Sequence, residues 1–101
     1  MVIISKAVIR EFVKLHADAD GALENWYAIT SGSNWKNFNE MKGTFNSIDS
    51  VGNDRYVFNI KGNDYRLIAL IIFKRRTLFI LFVGTHEEYD NVNASTVVFK
   101  K

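Results

Sequence analysis

The spacing of hydrophobic and polar residues changes period along the chain. Between residues 6 and 16, Ala7, Val8, Phe12 and Leu15 recur at helical spacing among Lys6, Arg10, Glu11 and Lys14, which predicts an amphipathic helix with Ser5 as its N-cap. A second helix is expected behind Asp18 or Asp20, burying Leu23, Trp26, Tyr27 and Ile29 and stopping at Gly32. Asn37 and Glu40 form a capping pattern for a short third helix through Lys42, with Trp35, Phe38 and Met41 at packing intervals. The period then shortens. Residues 56–60, 65–73 and 77–85 are rich in β-branched and aromatic side chains and are separated by short polar segments, which predicts an antiparallel meander. Val2, Ile3 and Ile4 read as a first strand joining that sheet, and residues 45–54, mixing Asn, Ser, Asp and Gly, read as a long loop. Residues 97–101 suit either a further strand or a loose end. The expected fold class is α+β: a mostly antiparallel sheet, made of the N-terminal strand plus the three-strand meander, with two to three helices on one face. One domain is expected over residues 1–101.

The turns set an expected register. Gly62 and Asn63 suit the two central positions of a tight hairpin, which places Lys61 opposite Asp64 and Asn59 opposite Arg66. With Lys74-Arg75-Arg76 as the second tip, Phe73 faces Thr77, Arg66 faces Gly84 and Asp64 faces His86. Asn59, Arg66, Gly84 and His86 then share one face at one end of the sheet. The second and third strands of the meander are apolar almost throughout, as expected of central strands covered on both faces. Gly84, lacking a side chain, is expected to leave open space beside Arg66. Thr85 and Glu88 form a capping-box pattern for a final helical turn that carries His86 and Tyr89 on one side.

Composition removes several classes of chemistry. The chain has no cysteine, so disulfides and thiolate metal sites are excluded. Its two histidines are far apart and without ligand spacing, and no Gly-rich phosphate loop or Ser or Cys nucleophile motif occurs, so no metal or other cofactor is expected. The longest apolar run, residues 67–73, is too short to span a bilayer, and the start lacks the layout of a signal peptide; a soluble cytoplasmic chain is expected. Net charge is only +2, so any phosphate contact must come from local clustering of basic groups. His16 is expected to serve the dipole at the end of the first helix, and Trp35 and Phe38 to serve the core.

Three segments carry a family likeness. Tyr56-Val57-Phe58-Asn59-Ile60, Gly62-Asn63-Asp64-Tyr65-Arg66-Leu67-Ile68 and Thr85-His86-Glu87-Glu88-Tyr89-Asp90 resemble HigB-type toxins, part of the wider RelE/ParE-like group. The likeness extends through Trp35-Lys36-Asn37-Phe38 and Phe45 and covers most of the chain up to Asn91. It implies a small ribonuclease that cuts mRNA on the translating ribosome. It also implies neutralisation by a HigA-like helix-turn-helix antitoxin, through which alone operator DNA would be bound. The family positions matched here are Asn59, Asn63, Arg66, His86 and Tyr89. RelE has a more basic site; here Gly84 and His86 stand where a second arginine is lacking, which leaves open which residue is the general base.

RNA brings its own nucleophile, the ribose 2′-hydroxyl, so cleavage requires only a base, an acid for the leaving 5′-oxygen and cationic stabilisation of the phosphorane. Arg66 offers a planar fork for phosphate oxygens, His86 an imidazole for acid–base work and Tyr89 a hydroxyl to orient or assist. Asn59, Lys61, Asn63 and Lys36 are candidates for RNA contact. Against these stand plainer roles: Arg66 paired with Asp64 or Glu88, His86 and Tyr89 packing a terminal turn, and Lys36 and Lys61 as solvated charges. Lys74-Arg75-Arg76, at the far end of the strands, suits a solubilising tip or a contact to ribosomal RNA. A rival function is a non-catalytic module of the same fold that blocks gyrase or the ribosome by occupancy.

Overall fold

The computed structural model describes residues 1–98. The chain runs β1 (Val2–Ile4), α1 (Ala7–Leu15), a 3-10 turn (Ala17–Ala19), α2 (Asp20–Ser31), α3 (Phe38–Thr44), β2 (Ile48–Gly52) and β3 (Arg55–Ile60). It continues through β4 (Tyr65–Ile72), a second 3-10 turn (Phe73–Arg75), β5 (Thr77–Thr85) and α4 (His86–Asp90). One mixed sheet in the order β1-β5-β4-β3-β2 results. β1 lies parallel to β5, and the other neighbours are antiparallel.

Alternation along the central strands decides what lies on each face. Leu67, Ala69 and Ile71 of β4 join Leu78 and Ile80 of β5 in a core closed by Ile9, Leu23, Trp26 and Met41 from the helices. Val57 and Ile68 point the other way and are buried too. The segment after α4 returns to that second side, where the Asn53 side chain donates to Ser95 O (2.8 Å) and Arg55 Nε donates to Val97 O (3.0 Å). The α+β class and the helix-covered sheet are as the hydrophobic periods predict, and Trp35 is buried with its indole N–H donating to Thr44 Oγ1 (2.9 Å).

Several local expectations are corrected. Residues 45–54 contain β2, a fifth strand rather than a long loop. It is an edge strand with Asp49 and Ser50 in water, so it lacks an apolar run, and Gly52, Asn53 and Asp54 form its hairpin turn at φ +90°, +54° and +60°. Ser5 does not cap α1; it takes φ +77°, and Lys6 occupies the N-cap position without a side-chain bond. Neither Asp18 nor Asp20 caps α2, which starts at Asp20 behind Ala19. On that helix Thr30, not Ile29, is buried. Asn37 does cap α3, accepting from Glu40 N (2.9 Å), while Glu40 Oε1 accepts from Lys36 N (2.9 Å). Val97 and Val98 belong to no strand, and the remainder of the expected 97–101 segment lies outside the described residues.

Phe58 joins the two halves of the core, with Trp26 and Phe45 edge-on at 5.3 and 5.5 Å. Phe58→Ala is expected to cost about 3–5 kcal/mol in denaturant unfolding, while Leu15→Ala, on the exposed side of α1, should change stability by less than about 0.5 kcal/mol.

Candidate functional site

The site end of the sheet is built on strand pairing. Asn59 pairs with Arg66 and Arg66 with Gly84, as the turns predict, although both turns differ in detail. The β3–β4 loop has four residues, 61–64, with Lys61 and Gly62 rather than Gly62 and Asn63 in the left-handed region; Lys61 and Asp64 meet only through Asp64 N donating to Lys61 O (3.3 Å). The β4–β5 connection is also one residue longer than expected. Pairing starts at Ile72 with Thr77 rather than Phe73 with Thr77, and Arg76 at φ +50° closes the turn. A bulge then offsets the longer loop. Ile68 faces Phe82 while Ala69 faces Ile80, so Leu81 is the extra residue, and the register beyond it returns to Arg66 opposite Gly84.

Arg66 is held by backbone carbonyls. Its Nη1 donates to Asn63 O (2.9 Å) and Tyr65 O (3.3 Å), and its guanidinium lies 5.8 Å from the centre of the Tyr89 ring, within cation–π range. Among the described residues no carboxylate lies within ion-pair distance of it, so neither Asp64 nor Glu88 neutralises it. Glu88 is occupied by the capping box of α4, where it accepts from Thr85 N (2.8 Å) while Thr85 Oγ1 accepts from Glu88 N (3.1 Å).

His86 opens α4 at the same end, its N–H donating to Asp64 O (3.3 Å). Its Nδ1 stands 3.2 Å from Asp90 Oδ2, one turn along the helix. Asp90 was not singled out from sequence; the i, i+4 spacing from His86 is the signal that finds it. Asn59 donates to Ser47 Oγ and, with Phe45, Asn46, Gly62 and Asn63, lines a cleft of about 340 Å³. Asn63 also borders a second cleft of about 420 Å³ with Asp64, Thr85, His86 and Glu87.

Two expectations fail here. Gly84 opens no space beside Arg66: it is buried, and a Cβ added to it would fall against the Phe82 ring (2.8 Å to Cε2) and 3.1 Å from Glu88 Cβ. Sequence shows the missing side chain but not that Phe82, two residues earlier on the same face, fills the gap. Asp64 and His86 meet by one backbone bond rather than as a ladder pair. Lys61 turns to Asp18 Oδ2 (2.9 Å), and Lys36, exposed ahead of α3, makes no side-chain bond to the other candidates among the described residues. Lys74 and Arg75 are exposed at the opposite end of the strands. His16 stacks on Phe12 (4.4 Å) and touches the edge of Tyr65, a packing role. Among the described residues no three His, Asp or Glu side chains converge as a metal would require.

A family model described as HigB toxin, the RelE-like toxic component of a toxin–antitoxin system, matches residues 19–92. The chain belongs to the HigB toxin family. It is 31% identical over 94 residues to the mRNA interferase HigB of Escherichia coli O6:H1, covering 91% of each chain. It is 38% identical over 52 residues, half of each chain, to the mRNA interferase toxin HigB of Escherichia coli K12, and equally to the mRNA interferase HigB of Shigella flexneri. The span matched to the HigB family contains Arg66, His86, Tyr89, Asn59 and Asn63.

Asp18 also accepts from the Tyr65 hydroxyl (2.7 and 2.8 Å). Lys61 first and Tyr65 second hold the Asp18 carboxyl below the usual range; Asp18 in turn raises Lys61 and, with burial adding, pushes Tyr65 up to about 12. A depressed carboxyl contributes stability that is lost as pH falls below about 4, and the two raised groups contribute stability that is lost as pH rises above about 10. The stability advantage of wild type over Tyr65→Phe in denaturant titrations is therefore expected to be constant at intermediate pH and to shrink at both extremes. Gly84→Ala is expected to cost about 1–3 kcal/mol and to shift the backbone amide resonances of α4, because Phe82 and Glu88 must give way.

Proposed function

We propose that this HigB-family chain is a toxin that cuts mRNA on the translating ribosome by metal-free acid–base chemistry. The 2′-hydroxyl loses its proton and attacks the adjacent phosphorus. The bond to the 5′-oxygen breaks with protonation of that oxygen, and a 2′,3′-cyclic phosphate remains. Arg66 stabilises the charge of the phosphorane, His86 acts as general acid or base through Nε2 with Asp90 orienting the ring, and Tyr89 orients the reacting groups. Asn59 and Asn63 contact the nucleotides beside the cut, and Lys61 and Lys36 contact the RNA backbone.

The observation that carries this reading is the state of Arg66. Its planar cation rests on two carbonyls and an aromatic face, with no carboxylate beside it among the described residues, so its charge is available to a phosphate. The names of the relatives, mRNA interferases, agree with it. A HigA-like helix-turn-helix antitoxin is the proposed inhibitor, with operator DNA bound through it alone, and the cytoplasm is the proposed site of action. Among the described residues no helix is long and apolar enough to cross a membrane.

His86→Ala is expected to keep its fold and lose about 10²–10⁴-fold in cleavage of a defined mRNA by programmed ribosomes, with wild-type cuts bearing cyclic phosphate ends. End mapping and circular dichroism check this. A folded His86→Ala protein that still arrests growth and leaves mRNA intact would replace the nuclease with a module that blocks gyrase or the ribosome by occupancy.

A further inference from the structure

Two donors converge on one carboxylate outside the proposed site. Asp18, in the 3-10 turn between α1 and α2, accepts from Lys61 Nζ at 2.9 Å and from the Tyr65 hydroxyl at 2.7 and 2.8 Å. Lys61 is the first residue of the β3–β4 loop, and Tyr65 is the first residue after it. One side chain therefore grips both ends of that loop from more than 40 positions away in sequence.

The grip acts on a loop whose first residue is backbone-strained. Lys61, at φ +53°, keeps a left-handed backbone that a residue with a side chain does not favour. The Tyr65 ring is fixed from behind, buried with Phe12 at 5.3 Å and His16 at 5.7 Å, both edge-on. Between the gripped ends, and at one of them, lie the two carbonyls that hold Arg66: those of Asn63 and Tyr65.

We propose that Asp18 is a positioning residue for Arg66: it sets the β3–β4 loop so that the Asn63 and Tyr65 carbonyls hold the guanidinium in place for the phosphate. The role rests on the phosphate function of Arg66 given above. The Tyr65 hydroxyl bond adds to overall stability, and the ion pair beside it adds little. The Asp18 and Lys61 side chains are 54% and 43% exposed, and ion pairs this wet contribute little to folding. The effect of the carboxylate is local, on where the loop carbonyls stand, and a small misplacement of a charged group near the reacting phosphate is costly in rate.

The test compares Asp18→Ala with wild type, each also in an Arg66→Ala background, and uses Tyr65→Phe as a second variant that keeps the buried ring and removes only the hydroxyl. In single-turnover cleavage on programmed ribosomes, Asp18→Ala is expected to lower the rate about tenfold or more with little change in apparent affinity, and to cause no further loss once Arg66 is gone. Equal losses in both backgrounds would overturn the proposal. Nitrogen-15 NMR of the Arg66 guanidinium supplies a readout independent of cleavage. Rotation about Nε–Cζ is expected to be faster in Asp18→Ala and in Tyr65→Phe than in wild type, and unchanged rotation in both would overturn the proposal. If wild type cuts nothing, the nuclease reading falls, and the NMR comparison still decides whether Asp18 sets Arg66.

Discussion

A slip of one residue between β4 and β5 would break the pairing of Arg66 with Gly84 and separate the guanidinium from Tyr89. Turned instead toward the helices, it would have to displace buried apolar side chains of the core, at a cost of the order of several kcal/mol. The register is held by two irregularities of opposite effect. A four-residue turn through Arg76 displaces the pairing by one position, and the bulge at Leu81 restores it before the strands reach Arg66. Between them Ala69, Ile71, Leu78 and Ile80 are buried in the core, so neither irregularity can migrate without exposing core or burying charge.

The same pairing explains why the polar groups of the candidate site gather at one end. β4 can carry Arg66 only where the strand emerges from the core, and β5 can hand over to α4 only beyond Gly84. Two differently supported pieces meet there. Arg66 is fixed by carbonyls of its own hairpin, and His86 by a carboxylate one turn along its own helix, so each group is oriented by neighbours close in sequence. Asp18 is the exception, reaching the hairpin from the link between the helices.

Much of this was legible from the residue pattern, for reasons that are physical. The central strands announce themselves because apolar side chains fill nearly every position, buried on the helix side and half-buried for the most part on the other, and α4 because a capping box is a local signal carried by Thr85 and Glu88. The pairing of Arg66 with Gly84 could be anticipated although the tip was misplaced by one residue, because the bulge corrects what the turn displaces. β2 was hidden because an edge strand needs an apolar residue on one side only, and its turn residues resemble a loop. In the sequence Asp18 resembles a cap, because the sequence shows its neighbours along the chain and not the loop that folds onto it. The packing at Gly84 is hidden for the same reason: an absent side chain does not say which neighbour fills its place.

The shortness of α4 has a further consequence. Five residues are too few for a helix to sustain itself, so α4 persists through its capping box and its contact with the sheet, whereas Arg66 sits within paired strands whose opening is close to unfolding of the whole domain. His86 and Tyr89 therefore belong to a unit that can fray while the sheet stays intact. The candidate site spans two levels of local stability, and it can be taken apart and rebuilt at one edge without the molecule losing its fold.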